Sequence, residues 1–126
     1  IGIDRPVALQ EERSIVAVFP LENASVATSG SYRKFYEMDG VRYSHAISPK
    51  TGRPVNHPVL SVTIITDTCS LADGYATALM VMGIDKGKIF LSKHPELQAY
   101  LIFTDSTGEY QHFMTEGLKD HIKALN

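Results

Sequence analysis

The stretch Leu60-Ser61-Val62-Thr63-Ile64-Ile65, followed by Asp67-Thr68-Cys69-Ser70-Leu71-Ala72-Asp73-Gly74-Tyr75-Ala76-Thr77-Ala78-Leu79, holds the change of period on which the fold turns. Its first part is short and β-branched, which reads as a strand. From about Ser70 to Met82 the apolar residues Leu71, Ala72, Tyr75, Leu79 and Met82 fall at helical spacing, with Gly83 as the stop. Upstream, Ser14 to Leu21 reads as a buried strand ending at Pro20, and Ala24 to Thr28 as a shorter one stopped by Ser29-Gly30-Ser31. Asp39-Gly40 between Tyr32–Met38 and Val41–Ile47 is the clearest hairpin signal, because an Asp-Gly pair tolerates the positive φ angles of a type I′ turn. A two-residue turn sets Met38 opposite Val41, Tyr36 opposite Tyr43, Lys34 opposite His45 and Tyr32 opposite Ile47, all on one face.

Ser48-Pro49-Lys50-Thr51-Gly52-Arg53-Pro54 is a loop, since its prolines and glycine forbid a continuing ladder. Beyond Gly83 a second helix is expected from Asp85 to Lys93. A hairpin then joins Leu97–Phe103 to Tyr110–Met114 around Thr107-Gly108, and a terminal helix runs from Glu116 to Leu125. Strands, then helices, then strands and a helix argue for an α+β domain on an antiparallel sheet, with residues 1–126 as one segment free of repeats and linkers.

Composition narrows the function classes. The 126 residues carry 12 Lys plus Arg against 14 Asp plus Glu, with 44% apolar and 21% charged residues, which excludes a disordered chain and a broad basic footprint for nucleic acid. No apolar run reaches the roughly 20 residues of a membrane span, and the N-terminus lacks the basic and apolar regions of a signal peptide. The opening Ile1-Gly2-Ile3-Asp4 reads as the middle of a longer protein. Cys69 is alone, so no internal disulfide or zinc pattern is available, and it reads as a small half-buried residue at a helix start.

Two places carry candidate chemistry. Asp73 and Thr77 are four apart on a helix, so a carboxylate and a hydroxyl share one face near its N-terminus. Such hard oxygen ligands suit Mg²⁺ or Ca²⁺ better than zinc, and a helix N-terminus favours phosphate. A structural account competes: Ser70-x-x-Asp73 also matches a capping box, and Thr77 can bond back to a carbonyl. Gly74 weakens the structural account, because glycine inside a helix costs roughly 1 kcal/mol and suggests close approach to the backbone. His45, at the end of a strand that feeds a rigid loop, is the second candidate. A lysine across from it would keep the ring neutral and available as a general base, against the alternative of a surface histidine beside a surface lysine. His57, His94, His112 and His121 have no partner at a metal spacing. Glycine-rich phosphate loops, Gly-x-Ser-x-Gly and paired cysteines are absent from the sequence.

Ser25-Val26-Ala27-Thr28-Ser29-Gly30-Ser31-Tyr32-Arg33, Tyr43-Ser44-His45-Ala46-Ile47-Ser48-Pro49-Lys50-Thr51-Gly52-Arg53-Pro54 and Ala72-Asp73-Gly74-Tyr75-Ala76-Thr77-Ala78-Leu79, in this order, resemble the ApbE family of FAD:protein FMN transferases. The resemblance runs from about Ser14 onward and covers only the C-terminal part of a family member, with a T-fold-like architecture. It implies a reaction that splits FAD, joins FMN through a phosphoester to a threonine of an acceptor protein and releases AMP, with Mg²⁺ at the pyrophosphate. By the same resemblance Asp73 and Thr77 are metal ligands, His45 is the base on the acceptor hydroxyl, Ile47 touches the flavin nucleotide, and Ser29 and Gly30 form a turn near that pocket. The family's loop usually reads His-x-Ile-Asp-Pro-x-Thr-Gly, and Ser48 here takes the place of the Asp. The resemblance further implies a periplasmic inner-membrane lipoprotein whose lipid anchor lies outside this chain, and an acceptor such as a subunit of a membrane redox complex. It leaves the isolated segment inactive, since the remaining metal and flavin ligands belong to the other half. FAD pyrophosphatase, a non-catalytic flavin-binding relative and a plain α+β interaction domain are the alternatives.

Overall fold

The computed structural model describes residues 1–7, 12–32 and 35–125, without the side chain of residue 42. In chain order the elements are β1 (Gly2–Asp4), β2 (Ile15–Val18), β3 (Ser25–Gly30), β4 (Phe35–Met38), β5 (Val41–Ser44), β6 (Val59–Thr66), α1 (Cys69–Met82), α2 (Ile84–Ser92), β7 (Gln98–Thr104), β8 (Tyr110–Met114), α3 (Glu116–Lys119) and β9 (Lys123–Ala124). The largest sheet has the order β3-β6-β7-β8, a smaller one the order β1-β2-β9, and β4-β5 is a separate hairpin. Every pairing is antiparallel, as the α+β reading expects.

Strand β7 shows why the layers form. Side chains alternate across a strand, and Ala99 and Leu101 join Val62, Ile64, Ala72, Ala76 and Leu79 on the helix side. Tyr100 and Ile102 face the other way, onto Ile3, Ala17, Phe19 and Leu118. The central sheet is thus covered by α1 and α2 on one face and by the β1-β2-β9 layer with α3 on the other. Each large aliphatic side chain so buried contributes about 1.5–3 kcal/mol. Ser61 and Thr63 are buried too, and the Thr63 hydroxyl is satisfied by Thr28, Oγ1 to Oγ1 at 2.8 Å.

Several local expectations change. The first two strands are β2 and β3, and β3 runs on through Ser29 and Gly30, which pair with Val62 and Ser61 instead of stopping the ladder. The hairpin register holds for Met38–Val41 and Tyr36–Tyr43, whose rings stack 5.4 Å apart. Its ladder ends at Phe35–Ser44, Ile47 bridges Pro54 instead of facing Tyr32, and the Lys34–His45 pairing falls outside the described residues. The expected terminal helix shrinks to α3. Leu118 plugs into the core, while the chain beyond it pairs along β2, Ala124 opposite Ala17, and the Leu125 N–H donates to the Val16 carbonyl. Completing a sheet edge outweighs the propensity of a short polar helix. β1 carries no periodic signal in the sequence and emerges only in the structure. Cys69 is exposed, not half-buried.

Candidate active site

Helix α1 starts two positions earlier than its capping motif suggests. Thr68 is the N-cap, with extended backbone, and its Oγ1 accepts from the Leu71 N–H at 3.4 Å. Ser70 is therefore already inside the helix, and no acidic residue lies in the first turn. The capping-box account of Asp73 fails for that reason: the carboxylate sits a full turn inside, exposed, making no hydrogen bond or ion pair with any described residue. The alternative role for Thr77 fails as well. Its Oγ1 meets Ser29 Oγ at 3.1 Å, so the helix face that carries Asp73 is joined to the end of β3 through two hydroxyls.

His45 lies just beyond β5 and, with Thr28, Ser29, Gly30, Tyr32 and Ser61, lines an open cavity of about 480 Å³. The Asp4–Arg13 ion pair, 2.7 Å from Oδ2 to Nη2, closes the same cavity from the β1–β2 side. Asp4 holds the Arg13 guanidinium above its ordinary pKa, first through their hydrogen bond and then by charge. Gly30 has a definite reason to be glycine: a Cβ there would lie 2.7 Å from the ring of Tyr32. The aromatic wall of the cavity is thus packed directly on the backbone of β3.

The loop after His45 is closed on itself. Ser48 N–H donates to the Arg53 carbonyl, Gly52 N–H to the Ser48 carbonyl and Val55 N–H to the Ala46 carbonyl, with the Ile47–Pro54 bridge between them. These backbone bonds keep the loop ordered although Ser48 stands where the resembling motif has Asp. Ile47 is 49% exposed and lines neither neighbouring cavity. Ser48, Pro49 and Lys50 instead wall a second, mainly apolar cavity of about 510 Å³ with Thr77, Ala78, Val81, Met82 and Lys86. Ser29 lines the polar cavity and Thr77 the apolar one, so their contact stands at the border of the two.

The fold brings Ser29, Gly30 and His45 to one cavity and joins Thr77 to Ser29, while Ile47 remains outside. Tyr32 and the Asp4–Arg13 pair carry no signal of a site in the sequence. Tyr32 reads there as one position of a hairpin face, and an ion pair spanning two strands leaves no local spacing to find. Gly74 has open space around it, with nothing within 4 Å of where a Cβ would stand, so packing within this chain does not require it. Among the described residues no group of three or more His, Cys, Asp or Glu side chains converges. The donors at hand are one uncommitted carboxylate and hydroxyls, a hard oxygen set that fits Mg²⁺ with water and phosphate completing the shell.

An antiparallel α+β domain with a hard-oxygen helix face joined to a strand end beside a histidine defines the class. The chain belongs to the ApbE family, whose model matches residues 1–101. It is 48% identical over 87 residues to the FAD:protein FMN transferase of Vibrio cholerae, covering 69% of this chain and 25% of that protein. With the Escherichia coli K12 FAD:protein FMN transferase it shares 37% identity over 122 residues, 97% of this chain and 34% of the relative. Among solved structures, the flavin transferase ApbE from Vibrio cholerae aligns with a TM-score of 0.71 at 34% identity, over 96% of this chain and 37% of that one. The ApbE protein from Thermotoga maritima aligns with a TM-score of 0.76 at 31% identity, over 96% and 37%. The chain thus has the ApbE fold over nearly its whole length, yet spans only about a quarter to a third of the curated relatives named here.

Proposed function

We infer that this chain is the part of an FAD:protein FMN transferase that carries the general base and two metal ligands. The observation behind this reading is the Ser29–Thr77 contact beside an Asp73 that holds nothing in the fold together. Ser29 shares a cavity with His45 and meets Thr77, which lies four residues from Asp73 on the same helix, and this supports the reading. In the reaction the acceptor threonine oxygen bonds to the FMN phosphorus, the bond from that phosphorus to the oxygen of AMP breaks, and AMP leaves. His45 takes the hydroxyl proton as the new bond forms. Asp73 and Thr77 would hold Mg²⁺, which when bound neutralises charge on the pyrophosphate. Ser29 orients the Thr77 hydroxyl, and any contact of Ile47 with the nucleotide would be made from the exposed side of the ordered 46–55 loop, outside the two cavities. The remaining catalysis is positioning, as phosphoryl transfer demands.

The same reading takes FAD and a threonine-bearing acceptor protein, such as a membrane redox-complex subunit, as partners. It assigns the whole protein to the periplasmic face of the inner membrane through a lipid anchor outside this chain. The test uses the full-length protein carrying this segment, with FAD, Mg²⁺ and an acceptor. His45→Ala is expected to slow transfer at least a hundredfold while FAD affinity changes less than threefold; equal losses would make His45 a binding residue. AMP released at the same rate with and without acceptor would favour the pyrophosphatase reading instead.

A further inference from the structure

His57 is the one described residue with a buried side-chain polar atom lacking a hydrogen-bond partner, its Nε2. The other ring nitrogen explains why. Nδ1 accepts the Val59 N–H at 3.3 Å, so in the neutral ring the proton must sit on Nε2, where it meets no acceptor. Natural proteins rarely leave such a group unpaired, and here the unpaired N–H follows from the acceptor that Val59 requires. Val59 opens β6 and is itself buried. Its carbonyl accepts from the Ser31 hydroxyl at 3.1 Å, and the next carbonyl, of Leu60, accepts the Ser31 N–H at 2.9 Å. Ser31 directly follows Ser29 and Gly30. On its other side the ring lies against Gly83, the residue that ends α1, with Cδ2 3.4 Å from where a Cβ would stand. His57 therefore touches the end of α1, the helix that carries Thr77, and the start of β6, whose carbonyls hold Ser31 just beyond the end of β3 that carries Ser29; it also stands at the root of the closed 46–55 loop that follows His45.

We propose that His57 is a positioning residue whose Nδ1 acceptor, in the Nε2–H tautomer, fixes the start of β6 and so, through the Val59 and Leu60 carbonyls that hold Ser31, sets the Ser29–Thr77 contact. This rests on the transferase reading above for its effect on rate, but not for its effect on structure. Two variants of the full-length protein separate the ring from the acceptor: His57→Phe keeps the ring and loses the Nδ1 acceptor, whereas His57→Asn keeps an acceptor at the Nδ1 position and loses the ring. At a temperature where circular dichroism finds both folded, His57→Phe is expected to lower kcat for FMN transfer at least tenfold with the KM for FAD within twofold. His57→Asn is expected to retain kcat within threefold. Histidine-ring ¹⁵N NMR of the unmodified protein should report the Nε2–H tautomer, and the amide signals of Ser29 and Thr77 should shift in His57→Phe and return in His57→Asn.

A folded His57→Phe protein with kcat within twofold of the parent overturns the proposal, as does an Nδ1–H tautomer. If His57→Phe does not fold, the proposal falls on a tenfold loss of kcat or displaced Ser29 and Thr77 signals in His57→Asn, and stands if both are retained with the Nε2–H tautomer. If the parent protein transfers no FMN, the transferase reading has failed, and the tautomer with the Ser29 and Thr77 shifts still decides the case for His57.

Discussion

Replacing Asp73 by Ala separates the ligand reading from the structural one, because the two differ in sign. Were Asp73 part of an N-terminal cap, its loss would cost about 0.5–2 kcal/mol. The cap is Thr68, however, and Asp73 is exposed in the second turn without a partner among the described residues. Removing it costs no contact there, and alanine is the better helix former by about 0.5 kcal/mol, so the metal-free full-length protein should be unchanged or slightly stabilised. Metal is where the loss should register. At a Mg²⁺ concentration a hundredfold above its dissociation constant, binding stabilises a folded protein by about 2.7 kcal/mol, or roughly 4 °C in Tm for a protein as long as the curated relatives. The assay is thermal unfolding with FAD present, with and without Mg²⁺, alongside in-gel fluorescence of the flavinylated acceptor. Asp73→Ala should abolish both the Mg²⁺-dependent rise and the transfer. A variant destabilised by 1 kcal/mol or more without metal, yet transferring FMN at the parent rate, would refute the reasoning.

Other expectations follow from single contacts. Thr68→Ala should lower stability by about 1 kcal/mol, as loss of an N-cap does, whereas Ser70→Ala, inside the helix, should be near neutral; urea unfolding of the two compares them directly. Asp105 accepts from the Thr107 hydroxyl and N–H, the Gln111 amide and the Glu109 N–H, which pull its pKa down to about 2. A lowered folded pKa contributes stability that is present above the ordinary carboxylate value and disappears as the pH falls toward 2. The Tm of the parent should therefore drop more steeply than that of Asp105→Asn between about pH 4 and pH 2. Gly30→Ala should displace the Tyr32 ring, whose Cε1 would lie 2.7 Å from the new methyl, and the change is read as altered tyrosine near-ultraviolet circular dichroism.

The elements with a strong local period were legible. β6, α1 and β8 lie where β-branched runs and helical spacing put them, and the Asp39-Gly40 turn set the central pairs of its hairpin correctly. What escaped was decided by long-range pairing. β1 and β9 are short strands without a pattern, and they exist because β2 offers them an edge. The same competition cut the terminal helix to one turn. At the candidate site, positions 45, 73 and 77 could be picked out as candidates because side-chain type and spacing are local features. That Ser29 meets Thr77 was not, since 48 residues separate them. The cap lies two positions from where the motif puts it because Thr68 and Ser70 are equally plausible hydroxyl caps in sequence, and the extended backbone of Thr68 with its bond from the Leu71 N–H distinguishes them.

Gly83 joins α1 to α2 without an intervening linker, at φ 80° and ψ 175°, a region that glycine alone occupies readily. Its carbonyl accepts the Gly87 N–H of the second helix while its own N–H closes the first on Leu79. Any side chain at this position would meet a backbone cost of about 1–3 kcal/mol, with its Cβ in ordinary contact with the ring of His57. A substitution there would therefore act on both helices and on the loop root at once.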